Sequence, residues 1–260
     1  MHWALPRLGL RVAAYRRVRG QVEKRVRRRI AALALDGVAA YRARLAEDPQ
    51  EWDVLRSLCG ITISRFYRDR TLWDAVCDRV LPALAAAARS AGRDCLRCWS
   101  LGCASGEEPY TLAIAWQLAL AERYPEVRLT VLATDVDEHM LSRARRAEYE
   151  AGSLRELPAG WRELAFEQAG ELYRLHERFR DAVQLQRQDV RLSVPEGEFA
   201  LILCRNNVFS YFDAQEQQRA LQQLTACLPD GSFIVVGKDE QLPTGSALHA
   251  WHTKLRIYQR

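Results

Sequence analysis

Leu101-Gly102-Cys103-Ala104-Ser105-Gly106-Glu107-Glu108 places small residues and then two carboxylates between an apolar run and a helical pattern. Small side chains let a backbone approach a ligand closely, and open α/β sheets bind ligands at the carboxyl ends of their strands. A turn between strand and helix also uses glycines for its own sake, so the loop gains weight only beside two acids later in the chain. Asp135 closes a second apolar run, where a carboxylate can accept both hydroxyls of a ribose. Asp189 comes after a third, in reach of an adenine amino group. The three points describe a nucleoside ligand. A nicotinamide dinucleotide fits poorly, because the G-x-G-x-x-G spacing is missing and Glu107-Glu108 would repel a pyrophosphate at a helix N-terminus. Two acids there suit a cation, and S-adenosyl-L-methionine carries a sulfonium and an ammonium but no phosphate.

The elements that must position these groups are legible from periodicity. Val22, Val26, Ile30 and Leu33 recur at helical spacing. Val38, Tyr41 and Leu45 predict a second helix, and Asp48-Pro49 caps a third that carries Trp52, Leu55 and Leu58. Ile61–Arg70 reads as a loop, and Leu72, Trp73, Val76 and Val80 as a further helix. Beyond Gly92 strands and helices alternate: strands at Cys98–Leu101, Leu129–Thr134, Val183–Leu185, Phe199–Cys204 and Ser232–Val236, helices at Glu108–Arg123, Asp137–Ala147 and Asp213–Cys227, and Lys254–Tyr258 as a last, edge strand. Alternation of this kind predicts an α/β fold, an open Rossmann-like sheet, preceded by an all-helical subdomain. The division expected is 1–90, helices with a linker, and 91–260, the ligand-binding α/β domain.

Composition narrows the class. With 260 residues and 48% hydrophobic content the chain can bury a large core, which excludes intrinsic disorder. No run of about 18 apolar residues predicts a membrane span. Arginines run through the first twenty residues without an apolar h-region, and seven cysteines are an odd number, so a reduced, cytoplasmic protein is expected. Residues 1–47 hold 12 basic and 3 acidic side chains, against 38 and 33 overall, so a basic N-terminal segment joins a mildly acidic body. Its densest stretch, Lys24 to Arg29, would attract nucleic acid, an anionic membrane or an acidic protein surface, or is a solvated helix face.

Four blocks carry a resemblance to the chemotaxis receptor methyltransferase family: Phe66-Tyr67-Arg68-Asp69, Arg97 to Tyr110 with its GCASGEEPY core, Cys204-Arg205-Asn206 with Tyr211-Phe212 close behind, and Gly237-Lys238-Asp239-Glu240. Their order and spacing agree with that family from about Gly20 onward. The resemblance implies a class I methyltransferase sheet, S-adenosyl-L-methionine as the donor, and methyl transfer to a glutamate side chain of a receptor. It implies that Thr62, Ser64 and Arg68 contact the donor, with Arg68 on its carboxylate. Glu107 would take its ammonium beside the Gly102 loop, and Asp135 its ribose. Asp189 and Val190 would frame the adenine, Arg205 and Asn206 the pocket floor, and Tyr211 would stand near the reactive methyl. The sequence departs from the family's pattern in three ways. Thr62 and Ser64 replace the usual Asn and Thr, each leaving a hydroxyl. Asn206-Asn207 adds a residue before Tyr211. The N-terminal segment is short, and Glu171 to Val183 leaves little room for the small β-subdomain by which the family grips receptors.

Methyl transfer from a sulfonium is an in-line displacement that needs positioning and no metal. A carboxylate is already nucleophilic near neutral pH, so the lack of an obvious base fits a carboxylate acceptor. The acceptor reads as an acidic protein side chain, docked by the Lys24–Arg29 helix. A small-molecule carboxylate is the second reading, and a non-catalytic donor-binding module is the third. Nucleic acid is not expected, because no aromatic interleaving or Asn/Asp-Pro-Pro-Tyr motif accompanies the arginines. Cys95-x-x-Cys98 lacks the second pair a zinc site needs. His249 and His252 read as surface residues and Trp99 and Trp116 as core. Tyr110 either stacks in the pocket or caps helix packing. A monomer is expected.

Overall fold

The computed structural model describes residues 3–16, 19–60 and 64–260. Seven strands form the main sheet: β1 (Cys95–Leu101), β2 (Arg128–Asp135), β6 (Val183–Arg187), β7 (Leu201–Cys204), β8 (Phe233–Val236), β9 (His249–His252) and β10 (Ile257–Gln259). Three more, β3 (Glu148–Glu150), β4 (Phe166–Ala169) and β5 (Leu172–Leu175), make a separate small sheet. The main sheet runs β6-β2-β1-β7-β8-β10-β9, with every pair parallel from β6 to β8 and β10 antiparallel to both its neighbours. The order reverses between β1 and β7, which makes a switch point and opens a crevice at their carboxyl ends.

Strand residues alternate between two buried faces. Leu201, Leu203, Phe233 and Val235 face one side, where Trp73, Val80, Leu84, Leu112 and Trp116 pack. Ile202, Cys204, Ile234 and Val236 face the other, against Leu221 and Leu224 of the helix Ala214–Ala226. That second cluster also takes Val22, Val26 and Ile30 from the helix Arg19–Ala32 and Tyr41 and Leu45 from Gly37–Glu47. The cap read at Asp48 is present, and the helices expected from Asp137 and Asp213 are capped by those two side chains. Asp48 accepts from Gln50 N ahead of Pro49, Asp137 from His139 N and Met140 N, and Asp213 from Glu216 N. Trp99 and Trp116 lie in the interior.

Two expectations are corrected. The small β-subdomain is present as the antiparallel order β3-β5-β4. It starts at Glu148, well ahead of Glu171, and its strands are three or four residues long with charges on the open side. Strands that short leave too few alternations to read. Ile257–Gln259 lies inside the sheet, and His249–His252 forms the edge, its Trp251 ring set edge-on to Phe233 at 5.4 Å.

The basic helix is divided in its use. Arg29 makes a two-pronged pair with Glu51, at 2.7 and 3.0 Å, and Tyr41 donates its hydroxyl to the same carboxylate at 2.7 Å. Arg25 donates to the carbonyl of Leu58 and to that of Gly60. Lys24, Arg27 and Arg28 are exposed. Glu51 is 2% exposed, and the Arg29 guanidinium holds its carboxyl below the ordinary 4.5. A depressed pKa means stability present above 4.5 and lost as pH falls through the lowered value. Arg29→Met should therefore cost about 2 kcal/mol at neutral pH. That is less than for a fully buried pair, because 32% of the arginine side chain meets water. Denaturant melts from pH 7 to pH 3 check this; a gap between wild type and variant that fails to shrink on acidification would deny the pair that role.

Candidate functional site

The loop after β1 is tied to the end of β2 by backbone. Gly102 N and Cys103 N both donate to Thr134 O, at 2.8 and 3.0 Å, and Ala104 N donates to Asp135 Oδ2 at 2.8 Å. Asp137 N donates to the other oxygen, Oδ1, at 2.9 Å. Gly102 sits at φ +76°, and a Cβ there would stand 2.0 Å from Asn207 Nδ2, so only glycine allows this approach. Asp135 is thereby fixed with one bond on each oxygen. A carboxylate has about four acceptor sites, so lone pairs remain for a ligand.

Two clefts meet over this loop. The first, about 880 Å³ with its open mouth, is lined by Gly102, Asp135, Asp189, Val190, Asn206 and Tyr211 among others. The second takes Ser64, Arg68, Arg205 and Glu108. Gly102, Ala104, Asn206 and Tyr211 line both. Most of the residues singled out in the sequence are thus brought to one place, in two groups. Thr62 lies outside the described residues. Glu107 lines neither cleft. It is buried behind them, accepting from Ser105 Oγ at 2.9 and 3.0 Å, with Ser64 also bonded to it.

Burial pushes the Glu107 carboxyl above its ordinary 4.5, against the pull of backbone and serine donors. It pushes Asp135 above 3.8, against the N–H groups of Asp137 and Ala104. Both acids gain from a cation or a hydroxyl donor placed beside them. Asp189 differs. Burial raises it, but Arg191 outweighs burial with Nε at 2.9 Å and Nη2 at 2.6 Å and holds it below 3.8. Arg205 has its side chain 4% exposed and joins Glu108, at 3.0 Å, to Asp69, at 2.5 Å, so it braces the junction of the clefts.

The Phe66–Asp69 block explains how Arg68 reaches the second cleft. Phe66 is fully buried edge-on against Tyr149 and Phe166 of the small sheet, and Tyr67 N donates to Thr111 Oγ1 at 3.0 Å. Tyr67 and Asp69 adopt positive φ, and Arg68 between them lines the cleft. Tyr110 packs rather than stacks in a pocket: it is 2% exposed and donates to Ala144 O at 3.0 Å.

Glu240 is the site residue that sequence reasoning passed over. Its buried carboxylate accepts from Gly237 N, Asn206 N, Asn207 N and Ser210 Oγ. The signal available was its place in the Gly237–Glu240 block, just past a strand end. Asn206 and Asn207 form an irregular turn, with Asn206 at φ +53° and Asn207 at φ −135°, ψ −98°. Tyr211 then ends the short helix Val208–Tyr211 at the meeting of the clefts. Burial, aided by Glu240 and opposed by Arg68, raises its phenol, so it stays protonated and can donate.

A sheet reversing at its first strand, an acid at the end of the next, and a glycine loop with buried acids fit S-adenosyl-L-methionine and define a Rossmann-like class I methyltransferase. Residues 62–257 match the family model described as CheR methyltransferase, SAM binding domain, and the chain belongs to the CheR methyltransferase family. It is 33% identical to a chemotaxis protein methyltransferase of Listeria monocytogenes, over 90% of this chain and 86% of that one. A probable chemotaxis protein methyltransferase of Rhizobium etli is 29% identical over 88% and 87%. Among solved structures, the S-adenosylmethionine-bound amino pentose methyltransferase CalS10 of Micromonospora echinaspora overlaps 70% of this chain and 54% of its own, with 19% identity and a TM-score of 0.38.

Asp135→Ala should weaken donor binding by about 2–3 kcal/mol, the cost of lost charge-assisted bonds. Calorimetry on the folded variant measures it, and an unchanged affinity would take Asp135 out of the pocket. The wild type adds a pH dependence. The raised carboxyls take up their protons at pH values above 3.8 for Asp135 and above 4.5 for Glu107. Donor affinity should hold at neutral pH and fall as pH drops through those raised values, with Asp135→Ala showing the shallower fall.

Proposed function

We propose that this enzyme transfers the methyl group of S-adenosyl-L-methionine to the side-chain carboxylate of a protein glutamate in a chemotaxis receptor, as the names of its Listeria and Rhizobium relatives suggest. The observation that carries the reading is the meeting of a donor-type cleft with a cationic one at Gly102, Ala104, Asn206 and Tyr211. The second cleft sets Arg11, Arg16, Arg65, Arg68 and Arg205 against Glu108 and Asp239, a surplus of positive charge where an acidic side chain would enter.

The donor supplies an activated methyl when bound. Asp135 would hold its ribose, Asp189 and Val190 its adenine, and Gly102 the close backbone approach. Ser64, Arg68 and Glu107 would serve its amino-acid end, with Glu107 acting from behind Ser64. Arg205 and Asn206 would keep the floor in place. Tyr211, protonated and at the junction, would donate to the acceptor carboxylate and orient one oxygen for in-line attack. The carboxylate needs no base, since it is the nucleophile in its ordinary ionised form.

The small sheet β3-β5-β4 removes the ground for preferring a small-molecule acceptor, which was the lack of room for such a subdomain. Lys24, Arg27 and Arg28 remain as the solvent-facing charges of the basic helix and would steer an acidic receptor surface toward the second cleft. No helix of the described residues is long and apolar enough to cross a membrane. We place the enzyme in the cytoplasm, where the signalling part of a receptor is reached.

Labelled donor incubated with the cytoplasmic fragment of a chemotaxis receptor should yield protein-bound label that base releases as methanol; base-stable label would mean another acceptor chemistry. Tyr211→Phe should lower kcat by about 10–100-fold with donor affinity nearly intact. A variant as fast as wild type would deny Tyr211 that role. Lys24→Glu with Arg28→Glu should lower kcat/KM on the receptor fragment by about tenfold at low salt and flatten its salt dependence, leaving donor affinity alone. Equal activity would return the helix to a solvated face.

A further inference from the structure

The N-terminal residues 3–16 precede the stretch matched by the family model, which begins at 62, yet they reach both clefts. They hold two short 3-10 turns, Pro6–Leu8 and Val12–Tyr15, and no regular element that would stand alone. Apart from Leu8 O, which accepts from Arg191, their hydrogen bonds to distant segments converge on one place, the end of the helix Val208–Tyr211. Arg11 N donates to Tyr211 O at 2.8 Å, and Asp213 N donates back to Gly9 O at 2.9 Å, so Leu10 and Phe212 pair as an antiparallel bridge. The Arg11 guanidinium donates Nη2 to Phe209 O at 3.1 Å and Nε to Ser210 O at 3.2 Å. Arg11 thus serves carbonyls 209, 210 and 211 together, at a helix terminus where carbonyls lack intrahelical partners and favour a cation. Tyr15, buried, sets its ring 5.4 Å from the Tyr211 ring at 55°.

We infer that residues 9–15 are a strap that positions Tyr211 for methyl transfer, with Arg11 as its anchor and Tyr15 as its stop. The need for it arises in the turn ahead of Tyr211. A four-residue helix has little stability of its own. It comes after two residues in irregular backbone, Asn206 and Asn207, whose N–H groups Glu240 holds. Glu240 holds the start of the turn and Ser210 Oγ, and Gln217 Nε2 donates to Phe209 O and Phe212 O; the strap adds the bonds to Ser210 O and Tyr211 O and the Tyr15 ring, which complete the end where Tyr211 stands. Arg11 and Tyr15 act through Tyr211 and are positioning residues. The inference rests on the reading that Tyr211 serves the acceptor.

The test uses the full chain with two readouts. The first is turnover on the receptor fragment with labelled donor. The second is the tyrosine ring resonance of Tyr211 in ¹³C-tyrosine-labelled protein, assigned with Tyr211→Phe, which needs no acceptor. Arg11 is exposed, so Arg11→Met should fold. It should lower kcat about tenfold with donor affinity within about twofold of wild type, and it should shift or broaden the Tyr211 resonance. Arg11→Lys, which keeps a donor near the carbonyls, should recover part of both. In the Tyr211→Phe background Arg11→Met should cause no further fall, because the strap has nothing left to position. An unaltered Tyr211 resonance in Arg11→Met, or a tenfold fall that persists in Tyr211→Phe, overturns the strap. A Tyr211→Phe enzyme at wild-type speed, with the Tyr211 resonance still disturbed by Arg11→Met, overturns the role of Tyr211 and with it the strap's part in methyl transfer, and leaves only its hold on the Tyr211 ring.

Discussion

The buried carboxylate of Glu240 is the interaction on which the cleft depends. At 2% exposure it accepts from three backbone N–H groups and one hydroxyl, with Asn206 N at 2.8 Å, Asn207 N at 3.1 Å and Ser210 Oγ at 2.6 Å. An ionised carboxylate saturated by such donors makes bonds about twice as strong as neutral ones. Those bonds come from the loops after β7 and β8, so the two strand ends are locked to one another. The left-handed backbone of Asn206 is held in place by this arrangement, and with it the start of the turn that carries Tyr211. Removing the carboxylate would leave a row of N–H groups unpaired at the floor of the crevice, which is the costly side of the hydrogen-bond balance.

The other acids at the strand ends work in the same manner and stand ready for a ligand. Asp135 fastens the Ala104 loop and still faces the cleft. Glu108 accepts from Ser100 Oγ at 2.8 Å and pairs with Arg205. The burial that raises Asp135 and Glu107 runs against the fold. A carboxyl with a raised pKa stabilises only while protonated, and that contribution is lost as pH rises through its folded value. The molecule keeps two such groups at or behind the clefts, where a cationic ligand would reverse the sign. This is the pattern expected of a site shaped for binding rather than for stability alone.

Arginine does most of the joining between segments far apart in sequence. Arg29 binds two N-terminal helices through Glu51, Arg191 reaches Leu8 O at 3.1 Å while holding Asp189, and Arg11 and Arg205 both line the second cleft and brace its walls. A planar guanidinium offers several donors in fixed directions, so one side chain can serve two or three carbonyls or carboxylates. The basic excess of the first 47 residues therefore divides. Part of it goes into internal bonds, and Lys24, Arg27 and Arg28 keep theirs for solvent or a partner.

The sequence by itself determined the alternation of strands and helices, the cap at Asp48 and the starts of the helices at Asp137 and Asp213. Those signals are local: an apolar period, a carboxylate next to a free N–H, a glycine where backbone must pass. It also placed Asp135, Asp189 and Gly102 together, because acids and glycines at the ends of parallel strands share one crevice by topology. Only the tertiary structure decided the rest. The three-residue strand Glu148–Glu150 acquires its meaning from pairing with Leu172–Leu175, since a strand so short has no period of its own. Glu107 lies behind the wall while its neighbour Glu108 faces the cleft, because adjacent helix positions point about 100° apart and the packing of the helix chooses between them. Arg11 meets carbonyls almost two hundred residues away, a contact that no spacing along the chain announces and that exists only because the fold brings residues 9–15 to the end of the turn that carries Tyr211.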